Sequence, residues 1–148
     1  MALKQADFEN LLAFRTGLRR FLRWSERQAE AAGLTGPQHQ LLLAVRGHAD
    51  PQGPTVSDVA DYLVLRHNSA VGLIDRAAAA GLVERRPDPA NKSAVRIALT
   101  PAGEQKLGAL SELHVAELAQ LAPTLRAPWG AIERAGHETA YTAARRRS

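Results

Sequence analysis

The run "TVSDVADYLVLRHNSAVGLIDRAAAAGL", Thr55 to Leu82, most restricts how this chain can fold, because two short helical periods flank a break with room only for a tight turn. Thr55 and Asp58 have the spacing of a capping box, and Val56, Val59, Ala60 and Leu63 fall at i, i+3, i+4 and i+7, which predicts a short amphipathic helix. After the break at Val64-Leu65, Ala70, Leu73, Ile74 and Ala77 share one face of a second helix, favoured by the run Ala77 to Ala80 and stopped by Gly81. Such a pair reads as a helix-turn-helix, whose second helix can enter a DNA major groove.

The flanking sequence continues the pattern. "LTGPQHQLLLAV" opens an earlier helix with Thr35 as cap, Pro37 in the first turn and Gln38 closing a capping box, and His48 to Pro54 is a turn-rich connection. Downstream, "LVERR" and "AVRIAL" have strand character, joined by "PDPANKS", so a basic hairpin directly follows the helix pair. Capped helix, turn, helix and basic hairpin in that order make a winged helix. Residues from about Ala6 to Ala32 form a long amphipathic helix ended by Gly33, with an apolar flank, including Phe8, Leu11, Leu18 and Leu22, wider than one small domain covers. Thr100-Pro101 caps a further helix to about Leu121, and Pro123, Pro128 and Gly130 are expected to break it before a last helical piece ending in "ARRRS".

With 148 residues, 45% hydrophobic but only 5% aromatic, the chain is expected to form one domain whose core is mostly Leu, Val and Ala. The fold class that follows is mainly α with a small β-hairpin. There is no cysteine, which rules out disulfides and thiol-based sensing. No run approaches the roughly 18 apolar residues of a membrane span, and the N-terminus lacks an apolar signal core, so a cytoplasmic protein with no membrane partner is expected. The net charge is +4, and between Arg66 and Leu99 six Lys and Arg face three Asp and Glu.

On the second helix of the pair, Asn68, Gly72 and Arg76 share the face opposite Leu73 and Ile74, with Arg66, His67 and Ser69 in the first turn. Asn suits adenine, Arg suits guanine or phosphate, and Gly leaves room for close approach. The plainer alternative is a solvated surface face. The order of elements favours the DNA-facing reading, in which Arg66, His67, Asn68, Ser69, Gly72 and Arg76 address the major groove and Arg85, Arg86, Lys92 and Arg96 serve the wing and the DNA backbone.

The segment from Thr55 to Gly103 resembles the winged-helix core of the MarR family of transcriptional regulators, most diagnostically in "GLVERRPDP" and "LTPAG", and "GLTGPQHQLLLAV" resembles the family's preceding helix. The resemblance implies a homodimer held by N- and C-terminal helices that binds a pseudo-palindromic operator, commonly as a repressor. On that view residues 1–148 are a single domain, with a DNA-binding core at about 35–100 and dimerisation helices at about 6–32 and 101–145. One departure stands out: where the family's wing commonly reads Asp-Arg-Arg, this chain has Asn91-Lys92-Ser93, which weakens the expectation of an arginine in the minor groove.

Members of the family often bind small anionic or aromatic ligands between the dimerisation helices and the core. Phe21, Arg23, Trp24, His39 and Arg46 could line such a junction here, with simple packing as the alternative for Phe21 and Trp24. Glu112, His114 and Glu117 share a helix but lack further ligands, so no metal and no cofactor are expected. The sequence holds no phosphate loop, GxSxG elbow or HExxH pair, and catalysis is not expected. The competing function is a winged-helix module whose helix face binds a protein, separable by its weak dependence on salt. The tail Arg145-Arg146-Arg147 could touch DNA or stay unstructured.

Overall fold

The computed structural model describes residues 2–145. In chain order the elements are α1 (Gln5–Ala31), α2 (Gly36–Gly47), α3 (Val56–Leu63), α4 (His67–Ala79), β1 (Val83–Pro87), β2 (Val95–Leu99) and α5 (Pro101–Arg145). The mainly α architecture with one two-stranded antiparallel hairpin is the expected one. Arg146 and Arg147 of the basic tail lie outside the described residues.

Two compact units are present: residues 26–113, and residues 2–25 with 114–145. In the first, Leu41, Leu42, Val59, Ala70, Leu73, Ile74, Ala77 and Ile97 are buried together with Ala29 from the end of α1 and Leu107 and Leu110 from the start of α5. All of the residues assigned above to the inner face of α4 lie in this core. Local chemistry sets the helix starts: the Thr35 and Thr55 side chains each accept a hydrogen bond from the backbone N–H three residues on, while the Gln38 and Asp58 side chains accept one from the backbone N–H of the cap. Between α3 and α4 the chain turns on Val64, a β-branched residue in the left-handed region at φ 53°, whose N–H bonds back to α3.

The hairpin pairs Val83 with Leu99 and Pro87 with Val95 at its ends. Ile97 N–H also donates to Pro54 O at 2.9 Å, which ties β2 to the turn before α3. Gly53 makes that approach possible: it has φ +88°, and a Cβ there would stand 2.1 Å from Ile97 O.

In the second unit α1 lies against α5. The Phe14 and Trp129 rings are 5.3 Å apart, and Gly17 admits Leu125 so closely that a Cβ would come within 2.7 Å of it. Here the structure corrects the sequence reading: α5 does not break after Leu121 but runs unbroken through Pro123 and Pro128 to Arg145. A proline inside a helix removes one backbone hydrogen bond and crowds the carbonyl four residues back, at about 3 kcal/mol. The contacts of Leu125, between the prolines, and Trp129, just after the second, with α1 hold this stretch in place, and tertiary packing overrides the local signal.

Candidate nucleic-acid interface

The start of α4 differs from those of α2 and α3. Its N-cap residue is Arg66, whose side chain makes no capping bond, so the first-turn N–H groups are not closed off as they are by Thr35 and Thr55. Arg66, His67, Asn68 and Ser69 are all exposed, directly beside the buried Ala70. One turn on, Gly72 is half-buried and Arg76 exposed, and a Cβ at Gly72 would meet Arg76 Nη1 at 3.1 Å. The glycine thus lets the guanidinium fold back over the helix. The structure brings together the six residues that the sequence placed on this face. Arg66, His67, Asn68 and Ser69 offer guanidinium, imidazole, amide and hydroxyl groups at the positive end of the helix dipole, and Arg76 adds a second guanidinium from the last turn, a set that suits base edges and phosphate.

The wing is organised by two short polar residues and one partly buried ion pair. Asn91 Oδ1 accepts from Ser93 N at 3.2 Å and from Ser93 Oγ at 2.7 Å, which closes the tip into a turn with Lys92 exposed at its apex. The Asn91 and Ser93 that depart from the family's usual wing are therefore the residues that shape this tip. Arg85 Nη2 donates to Asp75 Oδ1 of α4 at 2.6 Å, and Arg86 pairs with Glu84.

Arg96 does not face outward as expected. Its Nε donates to Asp88 Oδ2 at 2.8 Å, its Nη1 donates to Gly53 O at 2.9 Å, and its Nη2 lies 3.7 Å from Asp50 Oδ2. With its side chain only 19% exposed, Arg96 bolts the wing to the turn before α3 instead of reaching for a DNA backbone. The hydrogen bond from Arg96, then that from Ala90 N–H, holds the Asp88 carboxyl below the usual aspartate range, and Asp88 in turn raises Arg96. Sequence alone gave Arg96 no local partner other than Asp88; the glycine in "PQGP" is the one hint that another segment passes close by.

The residues considered for a ligand pocket fall in different units. In the helical unit, Phe21 and Trp24 stack at 6.1 Å, both rings pack edge-on to His114 at 6.0 and 4.9 Å, and His114 Nε2 is 2.7 Å from Ser25 Oγ. This aromatic cluster is packing, with one buried-side polar tie that the sequence did not reveal because its partners are 89 residues apart. Arg23 is exposed. In the other unit His39 is buried at 6% exposure and Arg46 Nε donates to Glu104 Oε1 at 2.9 Å. Among the described residues no three His, Asp or Glu side chains gather as a metal site, and His114 is turned to Ser25.

The sequence model of the MarR family matches residues 32–92. Among solved structures the chain is similar to AbsC, a MarR family transcriptional regulator from Streptomyces coelicolor, with a TM-score of 0.71 and 18% identity, covering 100% of this chain and 99% of that one. It is similar to the DNA complex of S. aureus MepR, with a TM-score of 0.67, 18% identity and coverage of 88% and 94%. CouR from Rhodococcus jostii RHA1, bound to p-coumaroyl-CoA, gives a TM-score of 0.67 at 24% identity, covering 79% and 81%. No protein of curated function matches. At these identities the structural likeness speaks for the fold, and the sequence match speaks for the family pattern in the segment that holds the helix pair and the first strand of the wing. Pattern and fold agree: residues 32–92 carry the MarR family pattern, and the chain has the winged-helix fold of these structures.

Proposed function

We propose that the protein is a non-enzymatic transcriptional regulator, a repressor that binds a pseudo-palindromic operator as a homodimer. The observation that carries the reading is the uncapped, fully exposed first turn of α4, set against two neighbouring helices that close theirs with capping boxes. Leaving those N–H groups open forgoes about 1 kcal/mol of cap stability, which a phosphate or base edge would recover on binding. Arg66, His67, Asn68, Ser69, Gly72 and Arg76 then address the major groove or its phosphates, Lys92 meets the backbone from the wing tip, and Arg85 and Arg86 contribute only to the extent that they leave Asp75 and Glu84. Arg96 positions the wing without contacting DNA.

Homodimerisation is supported by the helical unit, where Phe8, Leu11, Leu12, Leu18 and Leu22 of α1 and Val115, Leu118 and Trp129 of α5 are exposed. Large apolar side chains exposed together on both helices of one unit are the mark of an interaction surface. The core at about 35–100 is thus the reading head, and the helices at about 6–32 and 101–145 are the dimerisation arms. A small anionic or aromatic effector belongs to the same reading. The fold-level precedent is CouR with its bound p-coumaroyl-CoA, and a melting shift across a panel of aromatic acids checks it.

The test is fluorescence anisotropy against DNA from immediately upstream of the gene, beside a shuffled fragment, over a range of salt. Preference for the native fragment, lost in Asn68→Ala, is the expected result. Equal binding to both fragments with no effect of Asn68→Ala overturns base reading by α4. A second reading, docking of a protein on the same unit, is favoured by an apolar depression lined by Leu43, Ala44, Tyr62 and Leu63. It predicts a partner complex insensitive to salt, where phosphate contacts give a steep log-log slope.

A further inference from the structure

The charge of this molecule is not where the reading head is. Residues 26–113, which contain the helix pair and wing, carry nine Lys and Arg against ten Asp and Glu, whereas the rest of the sequence carries ten against five. Within the helical unit the excess is concentrated. Residues 10–25 hold four arginines and no acidic residue, as large an excess as the +4 of the whole chain.

Helical spacing aligns these arginines. Arg15, Arg19 and Arg23 follow one another at four-residue intervals on α1, with Arg20 beside them, and all four are exposed. At 1.5 Å per residue the row is about 12 Å long, a length over which one strand of duplex DNA presents about four phosphates. Among the described residues no carboxylate pairs with Arg15, Arg19 or Arg20, in contrast to Arg85, Arg86 and Arg96. The exposed guanidinium groups of Arg15, Arg19 and Arg20, with no carboxylate beside them among the described residues, are costly to keep together unless an anion neutralises them. Their planar forks suit phosphate oxygens better than lysine would.

We infer that the Arg15-Arg19-Arg20-Arg23 row of α1 is a second, sequence-independent binding surface for the phosphate backbone of duplex DNA. It belongs to a different unit from α4 and does not depend on the proposed base reading. A row that contacts only phosphates adds affinity and a steep salt dependence but no preference among sequences. It would supply the electrostatic attraction that the nearly neutral reading head lacks.

The test compares the intact protein with the Arg15→Ala/Arg19→Ala/Arg20→Ala variant on a random-sequence duplex at several salt concentrations. Alanine keeps the helix propensity high and the sites are exposed, so circular dichroism should show an unchanged helix. Losing three phosphate contacts should flatten the log-log salt slope by nearly three for each protomer bound, at about 0.9 per contact. Asn68→Ala should leave that slope steep while removing any sequence preference. The inference fails if the triple variant keeps the full slope. It also fails if sedimentation shows the variant to be monomeric where the parent is a dimer, which would give the row to a second copy of the chain. Arginine-dependent binding to phosphatidylserine vesicles with duplex binding unchanged would give it to a membrane. Should the triple variant melt early, Arg19→Glu alone must still lower the slope by at least about one, or the row has no role in binding DNA. Loss of preference in Asn68→Ala alongside an unmoved slope in the arginine variants leaves the operator reading intact and removes only this inference.

Discussion

Arg85, Arg86 and Arg96 each face a carboxylate within their own unit, while Arg15, Arg19 and Arg20 of α1 face none among the described residues. In the winged-helix unit, charge is used internally: Arg96 fastens the wing through Asp88 and Gly53, and Arg85 fastens β1 to α4 through Asp75. What this unit presents outward at α4 is a polar face with few net charges, which suits discrimination between bases. The helical unit presents the opposite combination of unpaired cations and exposed apolar side chains, which suits partners recognised by charge and by area. The net charge of the chain therefore points to the wrong half of the molecule for the reading surface.

The strongest way to disturb this division is at the joint that holds the wing. Gly53→Ala puts a side chain at φ +88° and drives its Cβ into Ile97 O. It should destabilise the protein by more than about 3 kcal/mol, seen as a large drop in urea midpoint. Next, Arg66→Asp should split stability from binding. An acidic N-cap closes the first turn of α4 and gains about 0.5–1 kcal/mol, yet it replaces a charge-assisted phosphate contact worth about 1.5–3 kcal/mol with a repulsion. DNA affinity should fall more than about tenfold while the melting temperature rises. A fall in both would show that Arg66 supports the fold instead of the ligand.

Arg96→Met asks whether the partly buried pair is structural. The Asp88 carboxyl is held below its unfolded value by Arg96, so the pair stabilises the fold at neutral pH. That contribution disappears as the pH falls below about 4, the value of an unperturbed aspartate. The variant should melt earlier at neutral pH and show a shallower loss of stability on acidification. If instead its melting is unchanged and only its salt slope on DNA falls, Arg96 is a phosphate ligand after all. The smallest expected effect is at the wing tip: Lys92→Ala should weaken all sequences alike and flatten the salt slope by about 0.9 for each protomer bound.

Much of this arrangement was legible because its causes are local. Both capping boxes, the break at Val64-Leu65, the inner face of α4 and the hairpin are written in residues within a few positions of one another. The resemblance to the MarR family drew on the same stretch. What could not be read were effects whose partners lie far along the chain. Arg96 looked like a wing cation because Gly53, 43 residues earlier, gives no sign in sequence that its carbonyl needs a donor. Pro123 and Pro128 looked like helix breaks because Phe14 and Gly17 of α1, which hold that stretch of α5, are more than a hundred residues away. The division of charge between the units was countable in the sequence, but its meaning depended on which arginines had partners, and only the structure supplies that.

The most direct test of the central claim, that α4 reads bases while charge elsewhere supplies attraction, is a hydroxyl-radical footprint on the DNA upstream of the gene. The account predicts two protected patches about one helical turn apart, 10–10.5 base pairs centre to centre. They should persist at higher protein concentration in the Arg15/Arg19/Arg20 variant and vanish in Asn68→Ala. Uniform protection by the intact protein, or discrete patches that survive Asn68→Ala unchanged, would contradict it.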